Sequence, residues 1–302
     1  MEPSRGETAT EPNTNMEKSE IIITDPERLE KIKAEIAKDG PEKFHVLADF
    51  DRTLTRSFSD GGKEYNSLIS VLRNDGYLTP DYPTKSKAMH DYYFRIEIDP
   101  NIPREEKKSA MDEWWRKHFA LLIASHLKKS DLERAVASQN IKLRKGADKF
   151  LKFLSENKIP LVIMSSSGIG GEAIGLFFKS RGLLTDNIFI VGNEFVWNDK
   201  DEAVGIKEPI IHVLNKDETL IKNFPFYNQV KNRKNVLLLG DSVDDVDMVV
   251  GFDYDNLIKI GFLNLKIPEN LPLFRKNFDV IITNDGSMDF VNSLIEEIFG
   301  AK

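Results

Sequence analysis

The 302-residue chain contains no cysteine, which excludes a disulfide framework, thiolate-bound zinc, iron–sulfur clusters and thiol nucleophiles together. Covalent chemistry, if any, falls to oxygen or nitrogen. Long hydrophobic runs are missing too: the most apolar stretches, such as Phe119 to Ile123 and Val236 to Leu239, are far shorter than the roughly 20 residues that span a bilayer. Residues 1–25 are mostly polar, lack the apolar core of a secretory signal, and read as a flexible tail. A cytoplasmic protein is expected. Positive charge is the scarcer sign, with 42 Lys and Arg against 49 Asp and Glu and a net charge of -7. That balance argues against a general binder of nucleic-acid polymers or anionic membranes. What is abundant is apolar residue, 40% of a chain long enough to bury a substantial core.

Short apolar runs rich in Val, Ile and Leu recur at Phe44 to Asp49, Ile159 to Ser165, Asn187 to Val191, Asn235 to Asp241, Leu257 to Leu263 and Phe278 to Thr283. Each ends near Asp, Ser, Asn or Gly, the texture of buried parallel strands covered by helices on both faces. Helical patterns lie between most of them, at Ala147 to Glu156, Gly170 to Ser180, Pro209 to Leu214 and Ser287 to Ile298. The alternation predicts a doubly wound α/β domain with a mainly parallel sheet. Residues 60–145 break the rhythm with helical patterns alone. Met111, Trp114, Trp115, Phe119, Leu122 and Ile123 share one helical face there. The expected organisation is a tail over 1–25, a core over 26–59 and 146–302, and a helical insertion over 60–145.

In such sheets ligands sit beyond the carboxyl ends of the strands. Three strand ends carry oxygen: Asp49-Phe50-Asp51-Arg52-Thr53, Ser165-Ser166-Ser167-Gly168 and Gly240-Asp241-Ser242-Val243-Asp244-Asp245. Asp49, Asp51, Asp241 and Asp245 gathered in one crevice would repel one another unless a cation neutralised them. A hard dication with oxygen ligands, Mg²⁺ above all, suits this inventory. Asp and Thr after a strand are also ordinary turn and cap residues. The order of all three segments is what favours chemistry.

These residues resemble a known family. The DxDxT pattern at Asp49 to Thr53, the strand-end serine, a later lysine and the GDxxxD pattern at Gly240 to Asp245 are those of the haloacid dehalogenase (HAD) superfamily of phosphatases. Ile96-Glu97-Ile98-Asp99-Pro100, Glu113-Trp114-Trp115, Ser167-Gly168-Ile169-Gly170, Ile211 to Lys216 and Leu238 to Ser242 are similar to segments of the cytosolic 5'-nucleotidase III, or pyrimidine 5'-nucleotidase, family. The resemblance runs from about Leu29 to the C-terminus. It implies a HAD-like core with the helical insertion as a cap, and Mg²⁺-dependent hydrolysis of nucleoside 5'-monophosphates, pyrimidine ones preferred. Asp49 would be the nucleophile that forms an aspartyl-phosphate, and Asp51 the general acid and base. Asp49, the Asp51 carbonyl, Asp241 and Asp245 would hold or support the metal. Ser166, Ser167 and Lys207 would hold the phosphate, Lys207 aided by a helix starting near Pro209. Glu97 would meet the nucleoside and Trp114 or Trp115, Trp115 first, would stack on the base, with His118 at a further substrate-contacting position. His118 replaces a serine common in the family, Ser165 to Ser167 replace a phenylalanine-serine-alanine sequence, and Asp244 replaces a glycine, which leaves base preference open. The implied partner is a nucleotide, for a monomer or weak oligomer.

One motif points elsewhere. Gly168-Ile169-Gly170-Gly171-Glu172-Ala173 fits G-x-G-x-x-A, with Glu194 further on, as in a dinucleotide-binding dehydrogenase. Three serines separate it from the strand, and it leaves the four aspartates without a purpose. A phosphatase for a different small phosphoester, or a catalytically silent protein on the same fold, would also accommodate these residues.

Overall fold

The computed structural model describes residues 18–300, apart from residues 60, 66, 75, 100, 139, 140, 218 and 219. Residues 1–17 of the expected tail lie outside the described residues. The rest of that stretch is not tail. Ile21–Ile23 forms strand β1, and Asp25 caps the helix α1, Pro26–Asp39, through a bond from the Arg28 amide at 3.0 Å. Three consecutive isoleucines suit an edge strand that needs few residues of its own.

The sheet contains β1, β2 (Phe44–Ala48), β3 (Leu161–Met164), β4 (Ile188–Val191), β7 (Asn235–Gly240), β8 (Asn256–Leu263) and β9 (Val280–Thr283). Its order is β1-β9-β8-β7-β2-β3-β4, parallel throughout except for β1 against β9. Every residue of β2, β3 and β7 is buried, which is why those runs read as apolar without alternation. Val46 and Ala48 of β2 join one core with α1, α6 (Ala147–Glu156), α7 (Gly170–Ser180) and α10 (Asp289–Phe299). Leu47 joins the other, with α8 (Tyr227–Val230) and α9 (Ile267–Asn277). The fold is the doubly wound α/β sandwich expected. A small antiparallel pair, β5 (Phe195–Trp197) and β6 (Ala203–Ile206), lies outside the main sheet and was not foreseen.

Between β2 and α6 the chain forms α2 (Leu68–Asn74), α3 (Tyr82–Ile98), α4 (Arg104–Ala124) and α5 (Lys129–Ala137). Its two connections to the sheet run side by side: the Arg56 amide donates to the Lys142 carbonyl at 2.9 Å, and the Arg144 amide to the Leu54 carbonyl at 2.9 Å. Among the described residues no helix is long and apolar enough to cross a membrane.

The helix expected over Pro209 to Leu214 does not form. Side-chain amides take over its backbone instead. Asn193 donates to the Ile211 carbonyl and accepts from the Ile211 amide, both at 2.8 Å, while Asn215 donates to the Ile210 carbonyl and accepts from the His212 amide, also at 2.8 Å. With these groups satisfied, the segment has no need of a helical ladder.

Candidate active site

The parallel register sets the ends of β3, β2 and β7 side by side: Ala48 pairs with Ile163 on one flank and with Leu239 on the other. The chain leaves β2 at Asp49 in extended conformation and then turns tightly, with Arg52 in the left-handed region at φ 60°. This turn brings Asp51 back to the same crevice as Asp49. It is held from beneath by Arg144, whose guanidinium is buried and donates to the carbonyls of Arg52, Thr53 (2.7 Å) and Gly286 (2.7 Å) while pairing with Asp285 at 3.1 Å. Nothing in the motif pattern singled out Arg144, because its role is set by carbonyls over 90 residues away in sequence.

At the end of β7, Asp245 folds back over the strand. Its Oδ2 accepts from the amides of Asp241 and Ser242, each at 3.0 Å. A side chain at Gly240 would overlap Asp245, so only glycine fits at the first place of the GDxxxD pattern. Asp49, Asp241 and Asp245 each present an oxygen within 4.8 Å of the others. Into this group reaches Lys216, 3% exposed, with Nζ 2.6 Å from Asp49 Oδ1 and 2.8 Å from Asp245 Oδ1.

The electrostatics follow from that packing. Burial first, then repulsion from Asp245, pushes Asp49 up to about 7 against the pull of Lys216. Asp241 is raised well above the usual carboxylate range by burial and by its neighbours Asp245 and Asp49. Burial lifts Asp51 to about 6, opposed by Arg52 and Lys216. Lys216 is the reverse case: burial alone would lower it, but Asp245 and Asp49 hold it above its ordinary value. One ammonium against several carboxylates leaves excess negative charge, and the donors are all oxygen. A hard dication fits this set. Asp245 already spends its oxygens on two amides and Lys216, which suits support of the site more than ligation.

These groups floor a cleft of about 330 Å³. Ser166 and Ser167 lie on its β3 side, and the buried Ser167 hydroxyl has no hydrogen-bond partner. The roof comes from the helical segment: His90, Phe94 and Glu97 from α3 and Trp114 and Trp115 from α4. The two indoles stack, with centroids 5.3 Å apart and planes 5° from parallel. Trp114 is largely covered and stacks on Tyr93 behind it, so Trp115 is the indole freer to meet a ligand. Glu97 is pushed up to about 7 by burial and by the nearby Asp244, against Lys107.

Asp49, Asp51, Glu97, Trp115, Ser166, Ser167, Asp241 and Asp245 thus converge on one cleft. Two expected residues do not. Lys207 is 61% exposed and pairs with Glu194 at 2.6 Å on another face. The missing helix at Pro209 removes the support expected for it, and the lysine that reaches the cleft is Lys216. The signal for Lys216 was present in the segment Ile211 to Lys216 that carried the family resemblance. His118 is buried behind Trp115 and does not line the cleft; its Nε2 meets the Gly168 carbonyl at 2.9 Å. The glycines of the dinucleotide-like stretch serve close packing: Gly171 lies against Gly192, and Gly168 against His118 and Trp115.

Residues 52–299 match the model of the pyrimidine 5'-nucleotidase (UMPH-1) family. The chain belongs to that family. It is 33% identical to a human 7-methylguanosine phosphate-specific 5'-nucleotidase, covering 93% of each chain, and 32% identical to a Xenopus laevis protein of the same description over 92% of this chain and 96% of the other. Its fold superposes on the crystal structure of cytosolic 5'-nucleotidase IIIB bound to cytidine with a TM-score of 0.85, 27% identity and coverage of 92% and 93%. The chain is a 5'-nucleotidase with the HAD-like fold.

Proposed function

We propose that the enzyme hydrolyses pyrimidine nucleoside 5'-monophosphates, cytidylate and uridylate, to nucleoside and phosphate, with Mg²⁺ as cofactor and an aspartyl-phosphate as intermediate. The observation that carries this reading is the meeting, in one cleft, of Asp49, Asp51, Lys216 and Asp241 below with stacked indoles and Glu97 above. An Asp49 carboxylate oxygen attacks phosphorus and the bond to the 5'-oxygen breaks. Asp51, lifted to about 6 by burial, keeps a protonated fraction near neutral pH and delivers that proton to the leaving oxygen. The same carboxylate then takes a proton from the water that hydrolyses the acyl phosphate. Lys216 holds Asp49 in place and, with Ser166 and Ser167, meets the phosphoryl oxygens. Asp49, the Asp51 carbonyl and Asp241 would hold Mg²⁺, braced by Asp245; when bound it withdraws charge from the phosphoryl oxygens. Residues 60–145 act as the cap, closing indole and Glu97 over the nucleoside and excluding water.

A second substrate, 7-methylguanosine 5'-monophosphate, is favoured by the Glu97 carboxylate beside the indole wall, since N7 methylation makes the base cationic and cations are attracted to indole faces. Phosphate release from a panel of nucleoside monophosphates, with Mg²⁺ and then with EDTA, tests the whole reading. The expected outcome is turnover of cytidylate and 7-methylguanylate above adenylate, abolished by EDTA and by Asp49→Asn. Turnover that survives EDTA would overturn the metal assignment, and turnover that survives Asp49→Asn would overturn the nucleophile.

A further inference from the structure

His118 sits in the C-terminal half of α4, 3% exposed, on the far side of Trp115 from the cleft. Its ring stands edge-on to Trp115, centroids 5.2 Å apart at 79°, and edge-on to Phe119 at 5.5 Å. The Nε2 atom lies 2.9 Å from the carbonyl oxygen of Gly168, an acceptor only, so the proton is on Nε2 and the imidazole donates. Burial, helped by the charge of Arg73 and opposed by this bond, keeps the ring pKa near 4 and the ring neutral at physiological pH.

Gly168 directly follows the serine turn. Within that turn the Ser165 amide donates to Val191, the Ser167 amide donates to the Ser165 hydroxyl at 3.1 Å, and the Ser167 carbonyl accepts from Gly170 at 3.1 Å. The Gly168 carbonyl is where the turn is tied outward, to the helical segment. The contact is close where a side chain would point: a Cβ on Gly168 would stand 2.8 Å from His118 Nε2, 3.0 Å from Trp115 and 3.2 Å from Ile69.

We infer that His118 is a positioning residue that seats the Ser165–Ser167 turn through the Gly168 carbonyl, making the indole wall and the phosphate end of the cleft one unit. This rests on the nucleotidase reading, in which Ser166 and Ser167 meet phosphate. The imidazole touches no substrate. A turn that drifts by an ångström misaligns the serine groups, and displacement of that size can cost on the order of 100-fold in rate.

The test compares His118→Gln, which keeps an N–H at a similar reach, with His118→Leu, which has comparable bulk and no donor. Three quantities are read with Mg²⁺ present: kcat for cytidine 5'-monophosphate, the dissociation constant of inorganic phosphate by calorimetry, and the dissociation constant of cytidine. His118→Leu should lower kcat about 10-fold or more and weaken phosphate about 5-fold, leaving cytidine binding within about 2-fold. His118→Gln should stay within about 3-fold of the parent in all three. Equal impairment of both variants would overturn the proposal in favour of packing, and weakened cytidine with unchanged phosphate would overturn it in favour of direct base contact. Phosphate affinity and kcat that stay at the parent value in His118→Leu would also overturn it. Should His118→Leu not fold, His118→Met is read in the same way. Phosphate binding does not depend on turnover, so a parent enzyme that fails to hydrolyse cytidylate would sink the substrate reading while leaving this one testable.

Discussion

Two lysines nine residues apart show how little separates a side chain that enters the cleft from a surface one in sequence. Lys207 follows a strand and precedes a proline, the pattern of a residue at a helix start, yet its ammonium lies in solvent beside Glu194. Lys216 carries no such local mark and is buried between Asp49 and Asp245. The difference is tertiary, because the loop that delivers Lys216 is shaped by Asn193 and Asn215, whose amides replace a helical ladder. Replacing Lys216 by Ala should therefore cut kcat/KM for nucleotide by about 100-fold or more, the scale for removing one preorganised group that stabilises developing charge. Lys207→Ala should fall within about 2-fold of the parent, since exposed ion pairs contribute little. Steady-state kinetics on the two variants decides which lysine serves the site. The aspartates were more legible because Asp49 and Asp241 directly follow strands whose apolar runs can be read locally, and Asp51 and Asp245 lie within a few residues of them.

At the scale of elements, the parallel strands were readable because burial on both faces leaves an uninterrupted Val, Ile and Leu texture. The strands that were not foreseen are short or have remote partners; the helices α1 and α9 were not named either. β1 has three residues and exists only by pairing with β9, about 260 residues later. The β5–β6 pair is likewise short. The end of β7 offers a test of how element and site are joined. Gly240→Ala places a methyl group on Asp245, and relief requires the carboxylate to move off the Asp241 and Ser242 amides. Overpacking of this kind costs about 1–3 kcal/mol. Thermal unfolding should show a melting temperature several degrees lower. Activity should fall by more than that loss predicts, because Asp245 also anchors Lys216.

For the whole molecule, buried ionisable groups set opposing dependences on pH. His45 in β2 is fully buried, bonds the Arg233 carbonyl through Nδ1 at 2.7 Å, and is pushed down to about 3 by burial. The folded state refuses a proton that the unfolded chain accepts below about 6.5. Its contribution to stability is thus whole above that value and is lost as pH falls toward 3. The raised carboxylates, Asp51 and Glu97 among them, act oppositely: they favour the fold at low pH and lose that contribution as pH rises through about 6 and 7. A difference between two proteins isolates one group. His45→Asn keeps a donor for Arg233 but cannot titrate. The stability of the parent relative to this variant should shrink by about 2 kcal/mol between about pH 7.5 and pH 5, as read by chemical denaturation; a constant difference would contradict the neutral, buried state of His45. From sequence alone came the layered α/β architecture, the order of the three acidic and serine strand ends, the helical insertion and the family, all of them carried by local texture or by contiguous motifs. Only the tertiary structure decided which lysine enters the site, that His118 stands behind the wall, and that Arg144 secures the turn after β2. Each of those depends on a hydrogen bond or ion pair between segments distant in sequence, whose geometry no local pattern encodes.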